Sequence, residues 1–134
     1  MRRKVTVVGA GMTGGTIAQR LAETGYIDVV LQDIIEGLPQ GKALDLAESA
    51  PVAGFNARVT GSNDWKDTAG SEVVVITSGV PRKPGMTREE LLSINAGIIR
   101  EVAASAVRHS PNAVLIVFAN PMDAMCHVTL ETTS

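Results

Sequence analysis

The feature that most constrains this chain is a glycine-spaced turn near its amino terminus, Gly9-Ala10-Gly11-Met12-Thr13-Gly14. It follows the β-branched run Val5 to Val8 at once. It opens a stretch from Met12 to Thr24 that suits a helix with Ile17, Ala18 and Leu21 on one face, stopped by Gly25. A second strand, Asp28 to Gln32, ends at Asp33, which stands 19 positions after the last glycine of the turn. A strand, a helix and a second strand at this spacing form a βαβ unit, which demands parallel strands covered by helices.

By itself the G-x-G-x-x-G spacing is compatible with a plain tight turn, since the chain has 13 glycines. Its position between strand and helix, with an acid closing the next strand, makes it a dinucleotide-binding pattern. Each part has a physical reason. Gly9 permits the sharp turn, Gly11 lets the backbone approach a pyrophosphate, and Gly14 lets the helix pack closely on the strands. The helix amino terminus presents free N–H groups and partial positive charge to phosphate. Asp33 accepts hydrogen bonds from ribose hydroxyls and repels a 2′-phosphate, and no arginine follows it directly, which favours NAD over NADP. The cofactor-binding candidates here are Gly9, Ala10, Gly11, Met12, Thr13, Gly14 and Asp33.

The remaining pattern continues the alternation. Leu38-Pro39 opens a helical segment running to about Ala50, with Pro39 in the first turn and Pro51 expected to close it. A weak strand is expected over Ala57 to Gly61. Glu72 to Thr77 contains Val-Val-Val-Ile, apolar on both faces, as in parallel strands buried on both sides. Ser78 to Met86 reads as a mobile loop rich in Gly and Pro. Thr87 and Glu90 have the spacing of a capping box, opening a long helix to about His109 that buries Leu91, Ile94, Ile98, Val102 and Ala106. Pro111 ends it, Ala113 to Phe118 is a further core strand, and a short helix follows Pro121. The fold class is α/β, a doubly wound parallel sheet of Rossmann type with five of the six strands of the complete fold, and residues 1–134 form one domain.

Composition removes other classes. Hydrophobic residues make up 45% of the chain, enough to fill one core, which argues against disorder. A formal net charge of −2 offers no basic surface for nucleic acid or an anionic membrane. The apolar run after Met1-Arg2-Arg3-Lys4 breaks at Gly9, too early for a secretory signal, and no stretch is long enough to span a bilayer. The single cysteine, Cys126, fits a reducing compartment and reads as a small packing residue. The expectation is a soluble, cytoplasmic protein with no metal.

The loop Gly79-Val80-Pro81-Arg82-Lys83-Pro84-Gly85-Met86-Thr87-Arg88 resembles the active-site loop of the lactate/malate dehydrogenase superfamily. Gly37-Leu38-Pro39-Gln40-Gly41-Lys42-Ala43-Leu44-Asp45-Leu46 resembles the segment after the second strand in the bacterial malate-specific branch. Asn120-Pro121-Met122-Asp123 resembles the superfamily's Asn-Pro-x-Asp turn, whose Asn-Pro bond is typically cis. From the residues alone, Arg82 and Lys83 are equally read as charges that keep a loop soluble. Two arginines at this spacing also suit a dicarboxylate, because guanidinium grips carboxylate in a planar fork. The resemblance implies that Arg82 meets the distal carboxylate, where lactate-specific relatives usually carry Gln, and that Arg88 binds substrate and polarises its carbonyl. It implies that Asn95 contacts NAD near the nicotinamide, a position otherwise read as an ordinary polar helix site. It further implies that Phe118, Ala119 and Asn120 line the cofactor and that Asn120 also binds substrate. Many relatives carry Asn or Thr where this chain has Ala119.

Oxidising a hydroxy acid requires a proton acceptor, and neither His109 nor His127 suits the part. The resemblance places the catalytic histidine, its aspartate partner and a third arginine downstream, in a carboxy-terminal substrate domain that is not in this chain. No catalytic residue is therefore assigned among these 134 residues, which are expected to bind NAD without useful turnover. The implied activity is reversible hydride transfer between malate and oxaloacetate by a homo-oligomer, dimer or tetramer, of the tricarboxylic acid cycle. The alternatives are a lactate or other 2-hydroxyacid dehydrogenase and a non-catalytic NAD-binding module.

Overall fold

The computed structural model describes residues 2–134. Five strands, β1 (Arg3–Val8), β2 (Ile27–Gln32), β3 (Val59–Ser62), β4 (Val73–Ile76) and β5 (Val114–Val117), form one parallel sheet in the order β3-β2-β1-β4-β5. Helices α1 (Met12–Glu23), α2 (Leu38–Ala53) and α3 (Arg88–His109) connect β1 to β2, β2 to β3 and β4 to β5; a short 3-10 helix, Trp65–Thr68, joins β3 to β4, and α4 (Met122–Thr133) follows β5. The order runs outward from β1 in one direction and then resumes from β1 in the other. Ligands in such sheets bind at the carboxyl ends of the strands beside that reversal.

Successive strand residues point to opposite faces, so one strand feeds two cores. Val5 and Val7 join Val29, Leu31, Ala18 and Ala22 under α1 and α2. Val8 joins Val74, Ile76, Ile99 and Met125 under α3 and α4. The double burial explains the unbroken Val-Val-Val-Ile of β4. Helix α1 buries Gly14, Ala18 and Ala22 at four-residue spacing, a stripe without bulk that brings its axis close to the sheet.

Four local expectations change. Helix α2 runs past Pro51 to Ala53. Pro51 is exposed in the last turn, and Ala47, whose carbonyl its missing N–H leaves free, is exposed too; the stop is Gly54 at φ 80°, donating to Ala50 O at 2.8 Å. Helix α3 has the expected capping box, but its buried stripe is Asn95, Ala96, Ile99, Ala103 and Ala106. Ile94 is 43% exposed, and Leu91, Ile98 and Val102 are half-buried. The alanines let α3 sit low on the sheet, and the loops beside Asn95 hold its amide inward, which rotates the buried face by about one position. Strand β5 is half-covered: Val114, Ile116 and Phe118 alternate on an exposed face, while Leu115 and Val117 pack on the second core. Cys126 is exposed, because Met125 and Thr129 set the inward direction of α4. Among the described residues no helix is long and apolar enough to cross a membrane.

Candidate functional site

The carboxyl ends of β1, β4 and β5 meet beside the start of α1. Gly9 has φ 104°, and a Cβ on it would lie 2.5 Å from Thr77 Oγ1, so both conformation and space require glycine. A Cβ on Gly14 would fall 1.7 Å from Gly9 O. Gly11 differs from both. It has an ordinary φ of −70°, and a Cβ there would meet nothing within 4 Å. The fold makes no steric demand for glycine at position 11; the bare backbone faces open space of the kind a ligand fills. The amino terminus of α1 also has no side-chain cap and no acid in its first turn. Uncapped N–H groups with their partial positive charge suit a phosphate, so the cradle fits a dinucleotide pyrophosphate.

Asp33 continues β2 to the same edge. Its Oδ2 accepts from Ala10 N at 2.7 Å and its Oδ1 from Ile35 N at 3.0 Å, which fixes the carboxylate beside the glycine turn. Each oxygen retains acceptor capacity for a ribose hydroxyl. Asn63 holds this corner from behind, donating to Asp33 O at 2.8 Å and Ile35 O at 3.0 Å. Lys42, on α2, donates to Gly11 O at 3.2 Å and brings a cation to the turn. Neither contact is legible from the sequence: Asn63 sits in the loop after β3 with no motif of its own, and Lys42, although inside the segment from Gly37 to Leu46, meets Gly11 only once α2 is packed beside the turn.

A cleft of about 480 Å³ runs from α1 across β4 and β5, within the ordinary range for small-molecule sites. Thr13, Arg82, Asn95, Phe118, Ala119 and Asn120 line it, so the structure gathers residues from four separate segments. Thr77 also lines it and was not anticipated; its place at the carboxyl end of β4, donating to Val8 O at 2.8 Å, was the available signal. Met12 is 88% exposed and borders a second groove against α2 instead. Arg88 stands exposed in the first turn of α3, outside the cleft lining.

Arg82 is exposed, with Nε donating to Met86 O at 3.1 Å inside its own loop. Among the described residues neither Arg82 nor Arg88 has a carboxylate partner; the ion pairs belong to Arg2, Arg3 and Arg20. Asn95 is only 1% exposed. Its Oδ1 accepts from Val80 N at 2.8 Å, and its Nδ2 donates to Val80 O at 3.2 Å and Asn120 O at 2.7 Å. The Asn120–Pro121 peptide is cis.

The histidines lie elsewhere. His109 stacks on Trp65 with ring centroids 6.4 Å apart and its Nδ1 on Ser105 O, and His127 is exposed on α4. No cluster of three or more metal-ligating side chains occurs among the described residues.

Comparison with known proteins agrees with this geometry. Residues 3–134 match the family described as lactate/malate dehydrogenase, NAD binding domain. The chain is 57% identical over 133 residues to a malate dehydrogenase of Thermomicrobium roseum, covering 99% of this chain and 43% of that protein. Among solved structures, a malate dehydrogenase from Salinibacter ruber superposes with a TM-score of 0.91 at 44% identity, over 98% of this chain and 41% of the other. A lactate dehydrogenase from Cryptosporidium parvum, complexed with lactic acid and β-nicotinamide adenine dinucleotide, superposes with a TM-score of 0.92 at 43% identity, over 99% of this chain and 42% of the other. The chain thus spans less than half the length of these relatives. On the strength of the matched sequence, the shared fold and the glycine cradle, it belongs to the lactate/malate dehydrogenase family, as the NAD-binding domain.

Proposed function

We propose that the protein to which this domain belongs is an NAD-dependent malate dehydrogenase. The observation that carries the reading is the Arg82 guanidinium, without a carboxylate partner among the described residues, on the same cleft as Thr13 and Asn120. When bound, NAD supplies reversible hydride exchange at its nicotinamide ring. The chain's own residues bind and orient. The backbone of Gly9, Ala10, Gly11, Met12, Thr13 and Gly14 holds the pyrophosphate, and Asp33 accepts the ribose hydroxyls. Phe118, Ala119 and Asn120 line the nicotinamide end. Arg82 receives the distal carboxylate of malate or oxaloacetate, and Arg88 comes to the substrate from the start of α3. The residue that accepts the hydroxyl proton belongs to a second, carboxy-terminal domain outside these 134 residues.

A lactate dehydrogenase shares the fold and the cradle. Arg82 separates the two, because a guanidinium desolvated against a methyl group loses several kcal/mol relative to one paired with carboxylate. The curated relatives at 52–57% identity are named malate dehydrogenases. We extend the reading to a cytoplasmic homo-oligomer, dimer or tetramer, serving the tricarboxylic acid cycle, on the resemblance alone.

The test is NADH oxidation by the full-length protein with oxaloacetate and with pyruvate. Preference for oxaloacetate by a factor of at least about a hundred is expected. Equal rates, or preference for pyruvate, would overturn the assignment.

A further inference from the structure

We propose that Asn95 is a positioning residue that ties the arginine loop to Asn120. The proposal rests on the dehydrogenase reading above and adds a role within that site.

The chemistry of a carboxamide decides the matter. An Asn side chain has two amide hydrogens and one carbonyl oxygen. Here both hydrogens are occupied by backbone carbonyls, Val80 O at 3.2 Å and Asn120 O at 2.7 Å, and the oxygen accepts from Val80 N at 2.8 Å. Only one orientation of the amide satisfies all three, since the N–H needs the oxygen and the two carbonyls need the nitrogen. With 1% of the residue exposed, both donors are spent on the two walls of the cleft and the oxygen holds the Val80 amide. The residue sits in the lining of the cleft and holds its walls.

The two segments it joins are those that carry substrate-facing groups. Val80 lies two residues before Arg82, and the Asn120 carbonyl belongs to the residue whose side chain lines the cleft. Beyond Val80 the loop from Pro81 to Gly85 is exposed, and its recorded hydrogen bonds, Arg82 Nε to Met86 O and Met86 N to Lys83 O, stay inside it. Asn95 therefore sets the fixed point from which the Arg82 loop swings, and the same amide fixes Asn120 opposite. Gly79 fits this role. Its φ is +141°, and a Cβ there would stand 3.3 Å from Asn95 Oδ1, so the loop turns where it touches the clamp.

The experiment uses the full-length protein with Asn95→Ala, the nearly isosteric Asn95→Asp, which replaces both donors with an acceptor, and Gly79→Ala, which presses on the clamp while leaving Asn95 in place. For each, kcat and KM for oxaloacetate at saturating NADH are measured beside the NADH Kd and the exchange rate of the Val80 amide hydrogen. The expected result is a loss of about ten- to a hundredfold in kcat/KM for oxaloacetate, because misplacement of a binding group by an ångström has that cost. NADH Kd should change by less than about threefold, and in Asn95→Ala, which alone removes the acceptor of the Val80 amide, Val80 exchange should accelerate by about tenfold. A tenfold rise in NADH Kd with kcat/KM unchanged would show a cofactor contact and overturn the proposal. So would unchanged kinetics, or Val80 exchange in Asn95→Ala equal to that of the parent. Should Asn95 variants not fold, Gly79→Ala alone must show the same split or the proposal fails. A parent protein that does not reduce oxaloacetate fails the dehydrogenase reading itself, and that control separates the two failures.

Discussion

Asp33 Oδ2 accepts the backbone N–H of Ala10 at 2.7 Å, joining the end of β2 to the glycine turn across 23 residues of sequence. One carboxylate thus shapes the phosphate cradle and faces the position of the ribose. Replacing Asp33 with Ser should weaken NADH binding by about tenfold, the cost of a charge-assisted hydrogen bond, while NADPH binding falls less or improves. Fluorescence titration with both nucleotides checks this. An unchanged ratio of the two affinities would remove Asp33 from cofactor selection.

The glycines of the turn should separate into those the fold needs and the one the ligand needs. Gly14→Ala places a methyl 1.7 Å from Gly9 O and should destabilise by more than about 3 kcal/mol in urea unfolding. Gly11→Ala meets nothing and has an ordinary φ, so stability should stay within about 1 kcal/mol of the parent or rise. Gly11→Val, with more bulk in the same open space, should weaken NADH binding while the urea midpoint stays close to that of the parent.

Arg82→Gln in the full-length protein should lower kcat/KM for oxaloacetate by at least about a hundredfold and raise it for pyruvate, since the guanidinium fork is lost and no charge has to be desolvated against the methyl group of pyruvate. Steady-state rates with both keto acids give the answer. An undisturbed preference would leave Arg82 with a solubility role only.

The capping box of α3 carries the start of the helix that presents Arg88 and, two turns on, Asn95. Thr87 Oγ1 accepts from Glu90 N at 3.1 Å and Glu90 Oε2 from Thr87 N at 3.0 Å. Thr87→Ala should cost about 1 kcal/mol in chemical denaturation, with Thr87→Ser close to the parent.

Among the described residues strand β5 pairs only with β4, and it exposes Val114 and Ile116, with Phe118 just beyond its end, on one face. The 134-residue chain should self-associate with rising concentration, and Ile116→Lys should reduce that association by placing charge on the bare face. Sedimentation velocity over a concentration series would register it.

What could be read from the sequence was local chemistry with a period or a motif. The glycine turn, Asp33, the Thr87–Glu90 box and the two-faced β4 each declare themselves within a few residues, and the parallel order follows from their alternation. What could not be read was set by tertiary partners. The rotation of α3 depends on Asn95 finding Val80 and Asn120, 15 and 25 residues away, and no periodicity encodes that. Pro51 failed as a stop because a last-turn proline at the surface leaves only one carbonyl to water. Asn63 and Lys42 serve the cradle from other elements, so their roles appear only once the chain is folded.

The central claim is that the turn from Gly9 to Gly14 with Asp33 is an NAD site. The most direct measurement is a titration of this 134-residue chain with NADH, following the nicotinamide fluorescence, beside NADPH and the Gly11→Val variant. Saturable binding of NADH, at least about tenfold tighter than NADPH and weakened in a Gly11→Val protein that remains folded, is the predicted result. A folded parent chain that gives no saturable NADH signal, or binds both nucleotides alike, would contradict it.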